Sequence, residues 1–193
     1  EVIQRLRDAG LTSIPGGGAE VLADRVRSLV SPNKCPASQW LGIMREAHEL
    51  GLKTTATMMF GHEETEEERL EHLFLLRDLQ DETEGFTAFI PWTFQAPNTA
   101  LSHLPAMPAP GYLRLLALSR LVLDNFPNIQ ASWVNMGPET AQLALSFGAN
   151  DFGSLMIEEN VVAAANIRFR MDRAAIHRAI EAAGFTPRQR YMD

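Results

Sequence analysis

Residues 11–20 read LTSIPGGGAE, a short apolar run followed by a proline, three consecutive glycines and a glutamate, Glu20. Fixing a glycine costs more backbone entropy than fixing any other residue, so three in a row indicate that something approaches this backbone closely. Backbone N–H groups at such a strand end can hold an anionic or polar ligand, with Glu20 accepting a hydrogen bond from a hydroxyl or an amine. The alternative is a tight turn in which Glu20 is only the carboxylate at a helix start.

The same order of strand, loop and helix recurs outward from this stretch. Apolar or β-branched runs predict strands, and a period near 3.6 residues predicts helices. Strands that alternate with helices are typical of βαβ units and a parallel sheet. The predicted strands are 11–15, 52–60, 86–94, 128–134 and a short one near 149–153; the predicted helices are 19–30, 38–51, 64–82, 112–125, 138–148 and 173–184.

Local signals support two of the helix boundaries. Thr65 and Glu68 have the spacing of a capping box at the start of the helix over 64–82. Gly184 is placed as a C-terminal cap of the last helix. No G-x-G-x-x-G motif follows any predicted strand, so the sequence gives no support to a doubly wound nucleotide-binding fold.

Each predicted strand ends in chemically rich residues, namely PGGGAE, MMFGHEE, FIPWTFQ, ASWVNMG and GANDFGS. Active sites of α/β barrels lie at the C-terminal ends of the strands. We therefore predict an α/β fold that forms the C-terminal portion, about five βα units, of a TIM-type barrel. We expect one domain over 1–193, with a helical tail from about residue 155. Glu1 lies inside a helical pattern, so we expect the remaining strands upstream of it.

Composition narrows the class of partner. The chain has 193 residues, a formal net charge of −7 and scattered basic residues. This argues against nucleic acid or an anionic membrane as the main partner, and no apolar run has the length of a membrane span. Cys35 is the only cysteine, which excludes an intrachain disulfide and favours a reducing, cytoplasmic setting.

His62 follows a glycine at a strand end, where a histidine can exchange protons with a substrate near neutral pH. The alternative is a structural histidine. Thr55, Thr57 and Met59 share one face of the preceding strand and are expected to point into the barrel. A metal site built from His62, His48 and the adjacent glutamates matches no known ligand spacing, so we predict no metal site.

Three later stretches carry groups that suit a polar, partly aromatic ligand, although core packing also explains the aromatic ones. Trp133 is the apolar candidate among them, as a cavity wall or a core residue. The polar candidates are Gln95, Asn98, Gln130, Ser132, Asn135, Asn150, Asp151, Glu158, Glu159 and Asn160.

Five stretches in order, SIPGGGAE, TTATMMFGH, DETEGFTAFIPWTFQ, NIQASWVNMGP and FGANDFGSLMIEENVV, resemble the radical S-adenosylmethionine enzymes of the menaquinone (futalosine) pathway. The resemblance spans nearly the whole chain. FTAFIPWTFQ and FGANDFGS favour the branch that cyclises dehypoxanthine futalosine. The aminofutalosine synthases and the deazaflavin-chromophore synthases of the same superfamily are the alternatives.

The resemblance implies S-adenosylmethionine and a 4Fe–4S cluster in the full-length protein, an electron donor and a small-molecule substrate. That family holds its cluster in a C-x-x-x-C-x-x-C loop, which this sequence lacks, and Cys35 alone does not replace it. We therefore expect this chain alone to hold no cluster and to be inactive. We also expect an isolated barrel portion to dimerise or to exchange segments, because its strand edges are exposed.

The resemblance also implies roles for individual residues. Contacts to S-adenosylmethionine are expected from Gly16, Gly17, Gly18, Glu20, Thr57, Met59, Gly61, Glu64, Ile90 and Pro91. Substrate contacts are expected from His62, Gln95, Ser132, Asn150 and Asp151. A base is needed when the substrate's aromatic ring is restored, and His62 or Asp151 is the expected catalytic residue.

Two readings from other classes remain open. The chain is a non-catalytic barrel fragment that only binds, or it is a metal-dependent hydrolase or lyase that uses His62 and nearby carboxylates. Fold resemblance alone does not decide between such functions.

Overall fold

Three parallel strands form the centre of the computed structural model, which describes residues 1–156, 160–166 and 169–190. They are β1 (Ser13–Ile14), β2 (Lys53–Phe60) and β3 (Phe86–Thr93), in the order β1-β2-β3. Ser13 pairs with Lys53, and Thr54 pairs with Phe86, with a register shift just after Thr54. The predicted parallel βαβ arrangement is confirmed.

The chain extends the sheet beyond β3 by two single parallel bridges. Phe89 pairs with Ile129, and Gln130 pairs with Asp151. The strand predicted over 128–134 is therefore shorter than expected, and the short one predicted near 149–153 is a single bridge at Asp151. The reason lies in side-chain competition: the Ser132 N–H donates to the buried Tyr112 hydroxyl at 2.8 Å, and a helix begins at the next residue.

The described residues also form helices. They are α1 (Val2–Asp8), α2 (Asp24–Val30), α3 (Ala37–Glu49), α4 (Glu66–Thr83), α5 (Ala109–Val122), α6 (Trp133–Met136), α7 (Pro138–Ala144, then a 3-10 turn over Leu145–Phe147), α8 (Val161–Ala164) and α9 (Arg173–Ala182). None of the helices within the described residues is long and apolar enough to cross a membrane. Glu158 and Glu159, two of the predicted polar candidates, lie outside the described residues.

The predicted helix boundaries hold in some places and fail in one. The capping box of α4 is confirmed, since the Glu68 N–H donates to Thr65 Oγ1 at 3.2 Å and the Thr65 N–H donates to Glu68 Oε2 at 2.8 Å. The helix predicted from residue 19 begins instead at Asp24. Gly18 and Glu20 have φ of 81° and 47°, which an α-helix does not allow.

The hydrophobic core lies between the sheet and α3, α4 and α5. Met58, Phe60 and Phe89 point into it and are fully buried. Met59 and Ile90 alternate with them along the strands and face the other side, which α3, α4 and α5 leave uncovered. The α/β fold class is confirmed, and the strands form an arc of a barrel with its concave face open.

Candidate active site

A cavity of about 1260 Å³ occupies the concave face of the sheet. Residues from β1, β2, β3, both bridging segments and the C-terminal segment line it. Of the residues that the sequence singles out, those in its wall are Glu20, Thr55, Met59, Ile90, Gln95, Asn98, Gln130, Ser132, Trp133, Asn135 and Asn160. The cavity thus gathers residues from all five stretches that the sequence marks as chemically rich, the fifth through Ser154, together with Asn160 beyond it.

The glycine run is close to the chain's own backbone. A Cβ on Gly16 would lie 2.2 Å from the Thr55 carbonyl oxygen, so β2 excludes a side chain there. The Gly16 N–H donates to Thr55 Oγ1 at 2.9 Å, and Thr57 Oγ1 donates to the Gly16 carbonyl at 2.6 Å. Gly17 and Gly18 face open space, and Gly18 is needed for its positive φ. None of the three lines the cavity.

The buried side chain of Arg27 holds the backbone of this loop in place through hydrogen bonds. It is 3% exposed, and its guanidinium donates to the carbonyls of Gly18 at 3.1 Å, of Ala19, and of Cys35 at 2.9 Å. A buried cation is costly unless its donors are satisfied, and here backbone oxygens satisfy them. The sequence gives no local signal for this role, because the arginine lies on α2 and its partners lie on two different loops.

Glu20 is the charged residue that this loop turns toward the cavity. Its carboxylate pairs with Lys34, and 11% of its side-chain surface is exposed. The Met59 N–H donates to the Glu20 carbonyl at 2.9 Å, which ties the loop to the end of β2. Glu20 and Met59 therefore form one continuous part of the cavity wall.

His62 and Glu64 form a closed network at the end of β2. Both side chains are fully buried; His62 Nε2 lies 2.9 Å from the Met59 carbonyl, and Glu64 accepts from the N–H groups of Gly61 at 2.6 Å and His62 at 2.9 Å. Burial alone would raise the pKa of Glu64, but these N–H donors and the charges of His62 and Arg69 hold it below its usual range. The arrangement favours a structural role for both residues.

Thr57, Gly61 and Pro91 also lie outside the cavity wall. Ser132 lines it, but its hydroxyl donates to the Pro91 carbonyl at 2.5 Å. The Tyr112 hydroxyl accepts from the Ser132 N–H, and burial raises the pKa of Tyr112 to about 12. These bonds hold the end of β3 to the start of α6 and shape the wall.

Amide side chains contribute hydrogen-bonding groups to this end of the cavity. Gln95 Nε2 donates to Thr93 Oγ1 at 2.9 Å, and Asn135 Nδ2 donates to the Thr93 carbonyl at 3.1 Å. Gln130 lies beside Gly153, where a Cβ would come within 3.1 Å of its Nε2. A ligand here would meet neutral hydrogen-bonding groups and the exposed ring of Trp92, which is 39% exposed.

Asn150 and Asp151 have different surroundings. Asn150 accepts from the Ile129 N–H and from Arg120, both at 2.9 Å, and donates to the Pro127 carbonyl at 2.9 Å, so it joins secondary-structure segments. Asp151 pairs with Arg190 at 2.6 Å. Neither is part of the cavity wall, but Arg190 is. Sequence reasoning missed Arg190, because no motif marks it and only the fold brings it to Asp151.

The described part of the chain provides no cluster of metal ligands. It contains no group of three or more His, Cys, Asp or Glu residues arranged to hold a metal ion. Cys35 is a free cysteine whose carbonyl accepts from Arg27. A 4Fe–4S cluster needs several thiolates, so the residues present here do not fit one.

Comparison with known proteins identifies the family. Residues 83–193 match the family model described as CofH/MqnC C-terminal region, and residues 1–76 match the Radical SAM superfamily model. The cyclic dehypoxanthine futalosine synthase of Halalkalibacterium halodurans is 49% identical over 190 residues, which cover 98% of this chain and 51% of that protein. The cyclic dehypoxanthine futalosine synthase of Streptomyces coelicolor is 46% identical over 190 residues, 98% of this chain and 48% of that protein.

A relative with a different name is nearly as similar. The aminodeoxyfutalosine synthase of Thermus thermophilus is 48% identical over 166 residues, covering 84% of this chain and 45% of that protein. The chain spans about half the length of the curated relatives it matches. The resemblance read from the five sequence stretches is confirmed at the level of the family. The chain belongs to the CofH/MqnC family of the radical SAM superfamily.

Proposed function

We propose that this chain is part of a radical S-adenosylmethionine enzyme that cyclises dehypoxanthine futalosine in menaquinone biosynthesis, and that it supplies much of the substrate cavity. The observation that carries the proposal is the cavity of about 1260 Å³ on the concave face of the parallel strands. It exceeds the roughly 300–1000 Å³ that usually encloses one small molecule, so it has room for a nucleoside-like cofactor and a substrate together.

Three residues fit the cofactor end of such a cavity. Glu20 presents a carboxylate that can accept from ribose hydroxyls or an amine, and Met59 and Ile90 present apolar side chains suited to an adenine ring. When bound, S-adenosylmethionine supplies the hydrogen-abstraction chemistry. Because the residues present do not fit a 4Fe–4S cluster, we infer that the cluster's ligands lie outside these 193 residues and that a separate electron donor acts with the enzyme.

The chain's own contribution is to orient the substrate and exclude water. Trp92 and Ile90 give an apolar wall, while Gln95, Asn135 and Gln130 give neutral hydrogen-bonding groups suited to hydroxyls. A radical in such a site is protected from side reactions when water is kept out.

In the proposed reaction the benzoate ring of the substrate is attacked, the proton that it releases on regaining aromaticity needs a base, and His62 and Asp151 stay predictions for that base. We expect a protein with both H62Q and D151N to form 5′-deoxyadenosine but to lose the cyclised product. Normal product formation by that double variant would exclude both residues as the base.

Aminodeoxyfutalosine synthase is the second candidate function. The observation that favours it is the 48% identity to the Thermus thermophilus protein, against 49% to the Halalkalibacterium halodurans protein. The longer match, 190 residues against 166, supports the cyclase instead. The two reactions leave different products, so chemistry separates them where identity does not.

The experiment is a product analysis of the full-length protein after anaerobic reconstitution with iron and sulfide. The protein is incubated with S-adenosylmethionine, a strong reductant and dehypoxanthine futalosine. The products are separated by liquid chromatography and identified by their masses in mass spectrometry. We expect a cyclised product together with free 5′-deoxyadenosine. A reconstituted protein that leaves this substrate intact but joins the adenosyl group to an enolpyruvyl ether overturns the cyclase and supports the second candidate.

A further inference from the structure

The segment that follows α9 returns to the cavity and places Arg190 in its wall. Arg190 donates from Nε at 3.0 Å and from Nη2 at 2.6 Å to the same oxygen, Asp151 Oδ2. The other oxygen, Asp151 Oδ1, accepts from the Gly153 N–H at 2.8 Å. Three N–H groups therefore fix the carboxylate, and the carboxylate in turn fixes the plane of the guanidinium.

The two partners differ in their exposure. Asp151 keeps 11% of its side-chain surface exposed, and Arg190 keeps 31%. The carboxylate is thus the more buried partner and lies outside the cavity wall, whereas the guanidinium is more exposed and belongs to the residue in the wall. A guanidinium carries five N–H donors in a rigid fork, and Asp151 uses only part of them. The remaining donors are available to a second acceptor.

Arg190 is also distinguished from the other charged groups around the cavity. Of the lining residues in the described part of the chain, Lys53 and Arg190 are the cationic ones. Lys53 is the first residue of β2, at the opposite end of this strand from the loop that follows it. Its Nζ donates to the Glu84 carbonyl at 3.0 Å. Glu20 is paired with Lys34. An anionic ligand in this cavity therefore finds its matching charge at Arg190.

We propose that Arg190 binds the carboxylate of an aromatic carboxylic acid substrate, and that Asp151 is the positioning residue that holds the guanidinium for it. The inference rests on the proposed function, in which the substrate carries a benzoate. The geometry suits it, because guanidinium and carboxylate form strong, directional, charge-assisted hydrogen bonds. The methionine carboxylate of S-adenosylmethionine is the other source of the same chemistry, and the test separates the two.

The test compares R190Q with R188Q in the full-length protein. Arg188 is an exposed residue of the same segment outside the cavity wall, so R188Q changes the same charge without touching the site. We expect R190Q to raise the KM for dehypoxanthine futalosine about tenfold to a hundredfold, the usual effect of losing a hydrogen bond to a charged group. The KM for S-adenosylmethionine and the kcat should change little. R188Q should match the wild type.

Two further variants and one substrate analogue sharpen the result. R190K should recover part of the affinity, and D151N should raise the KM less than R190Q because it loosens the guanidinium without removing it. With the methyl ester of the substrate, wild type and R190Q should have equal KM, since the ester has no charge for Arg190 to bind. An unchanged melting temperature in R190Q confirms that the variant is folded.

Several outcomes overturn the inference. An unchanged KM for the substrate in folded R190Q excludes the contact. A raised KM for S-adenosylmethionine alone assigns the anion to the cofactor and not to the substrate. If R190Q raises the KM for the methyl ester as much as the KM for the substrate itself, the carboxylate is not the group that Arg190 binds.

Equilibrium binding of benzoate, followed by nuclear magnetic resonance, keeps this inference separate from the proposed function. If the wild type makes no cyclised product but binds benzoate in an Arg190-dependent way, the proposed function fails and the anion site stands. If wild type and R190Q bind benzoate equally, the anion site fails whatever the activity.

Discussion

The two faces of β2 and β3 belong to the same strands, yet they differ sharply in burial and packing. On the outer face, Phe86 and Phe89 are at most 1% exposed, and their rings pack on Phe126 with centroids 5.3 and 6.4 Å apart. On the inner face, Ile90 and Trp92 border an open cavity. Most of the stabilising burial therefore lies on the outer face, and the inner face remains accessible to a ligand.

This division has a physical reason. Burying an apolar side chain completely contributes about 1.5–3 kcal/mol, and a half-buried one contributes correspondingly less. A cavity wall must remain open to a ligand, so its residues add little to the free energy of unfolding. The helices α3, α4 and α5 provide the burial that the inner face lacks.

Replacing Phe89 by alanine should break the outer face and give the largest effect. We expect F89A to lower the free energy of unfolding by about 3–5 kcal/mol, because it leaves a cavity where a fully buried ring contacts Phe126 and His72. The matched control is I90A, the next residue on the same strand, which should cost less than about 1.5 kcal/mol. Urea unfolding of the full-length protein measures both.

Equal losses from F89A and I90A would contradict the division of roles between the faces. Equal losses would mean that packing on the inner face contributes as much to the free energy of unfolding as packing against the helices does. A reduced affinity for S-adenosylmethionine in I90A, with little change in stability, is the result we expect.

Replacing Gly16 by alanine tests the joint between the glycine loop and β2. The added Cβ would lie 2.2 Å from the Thr55 carbonyl oxygen, and backbone cannot move aside as a side chain does. We expect G16A to cost about 3 kcal/mol, at the upper end for overpacking. The control is G17A, whose Cβ meets nothing within 4 Å and which should change stability by less than about 0.5 kcal/mol.

The same urea titrations decide the case. If G17A costs as much as G16A, the run of glycines serves backbone conformation at every position and not the approach of β2. If G16A is neutral, the loop shifts freely and does not fix the position of Glu20.

These residues also show what the sequence could and could not predict. The strand–helix alternation, the parallel sheet and the capping box of α4 depend on spacings of a few residues, and all three are confirmed. The three glycines indicated a close approach, and β2 approaches Gly16 at Thr55, 39 residues further on, while contact of this loop with a ligand stays a prediction. Local patterns give a residue's own conformation and not its distant neighbour.

The site was predicted less completely for the same reason. Glu20, Met59 and Ile90 reach the cavity because residues at strand ends and on alternating strand positions share a face. His62 follows the same rule in sequence, but the fold encloses it with Glu64. Arg190 was missed because its partner Asp151 lies 39 positions earlier in the sequence, and only the fold brings the two together.

The outer face also makes a prediction about pH, which is the smallest of the three effects near neutrality. His72 lies behind Phe89, and its Nδ1 accepts from the Leu22 N–H at 2.9 Å. Burial, with a smaller effect of the Arg27 charge, lowers the pKa of His72 to about 3. The unfolded chain binds a proton there below about pH 6.5, and the folded chain does not. The contribution of the neutral His72 to the free energy of unfolding is therefore fully present above pH 6.5 and is lost as the pH falls toward 3.

We expect His72 to lower the free energy of unfolding by about 2 kcal/mol between pH 7 and pH 5. His48, whose pKa burial and the charge of Lys53 lower to about 4, acts in the same direction, so the wild-type slope alone does not isolate His72. The comparison is with H72N, whose side-chain oxygen can accept from the Leu22 N–H but does not titrate. Its substitution cost is the same at every pH, so the difference in slope belongs to His72. Parallel slopes for wild type and H72N would show that water reaches this histidine, and the outer face would then be less dry than its burial indicates.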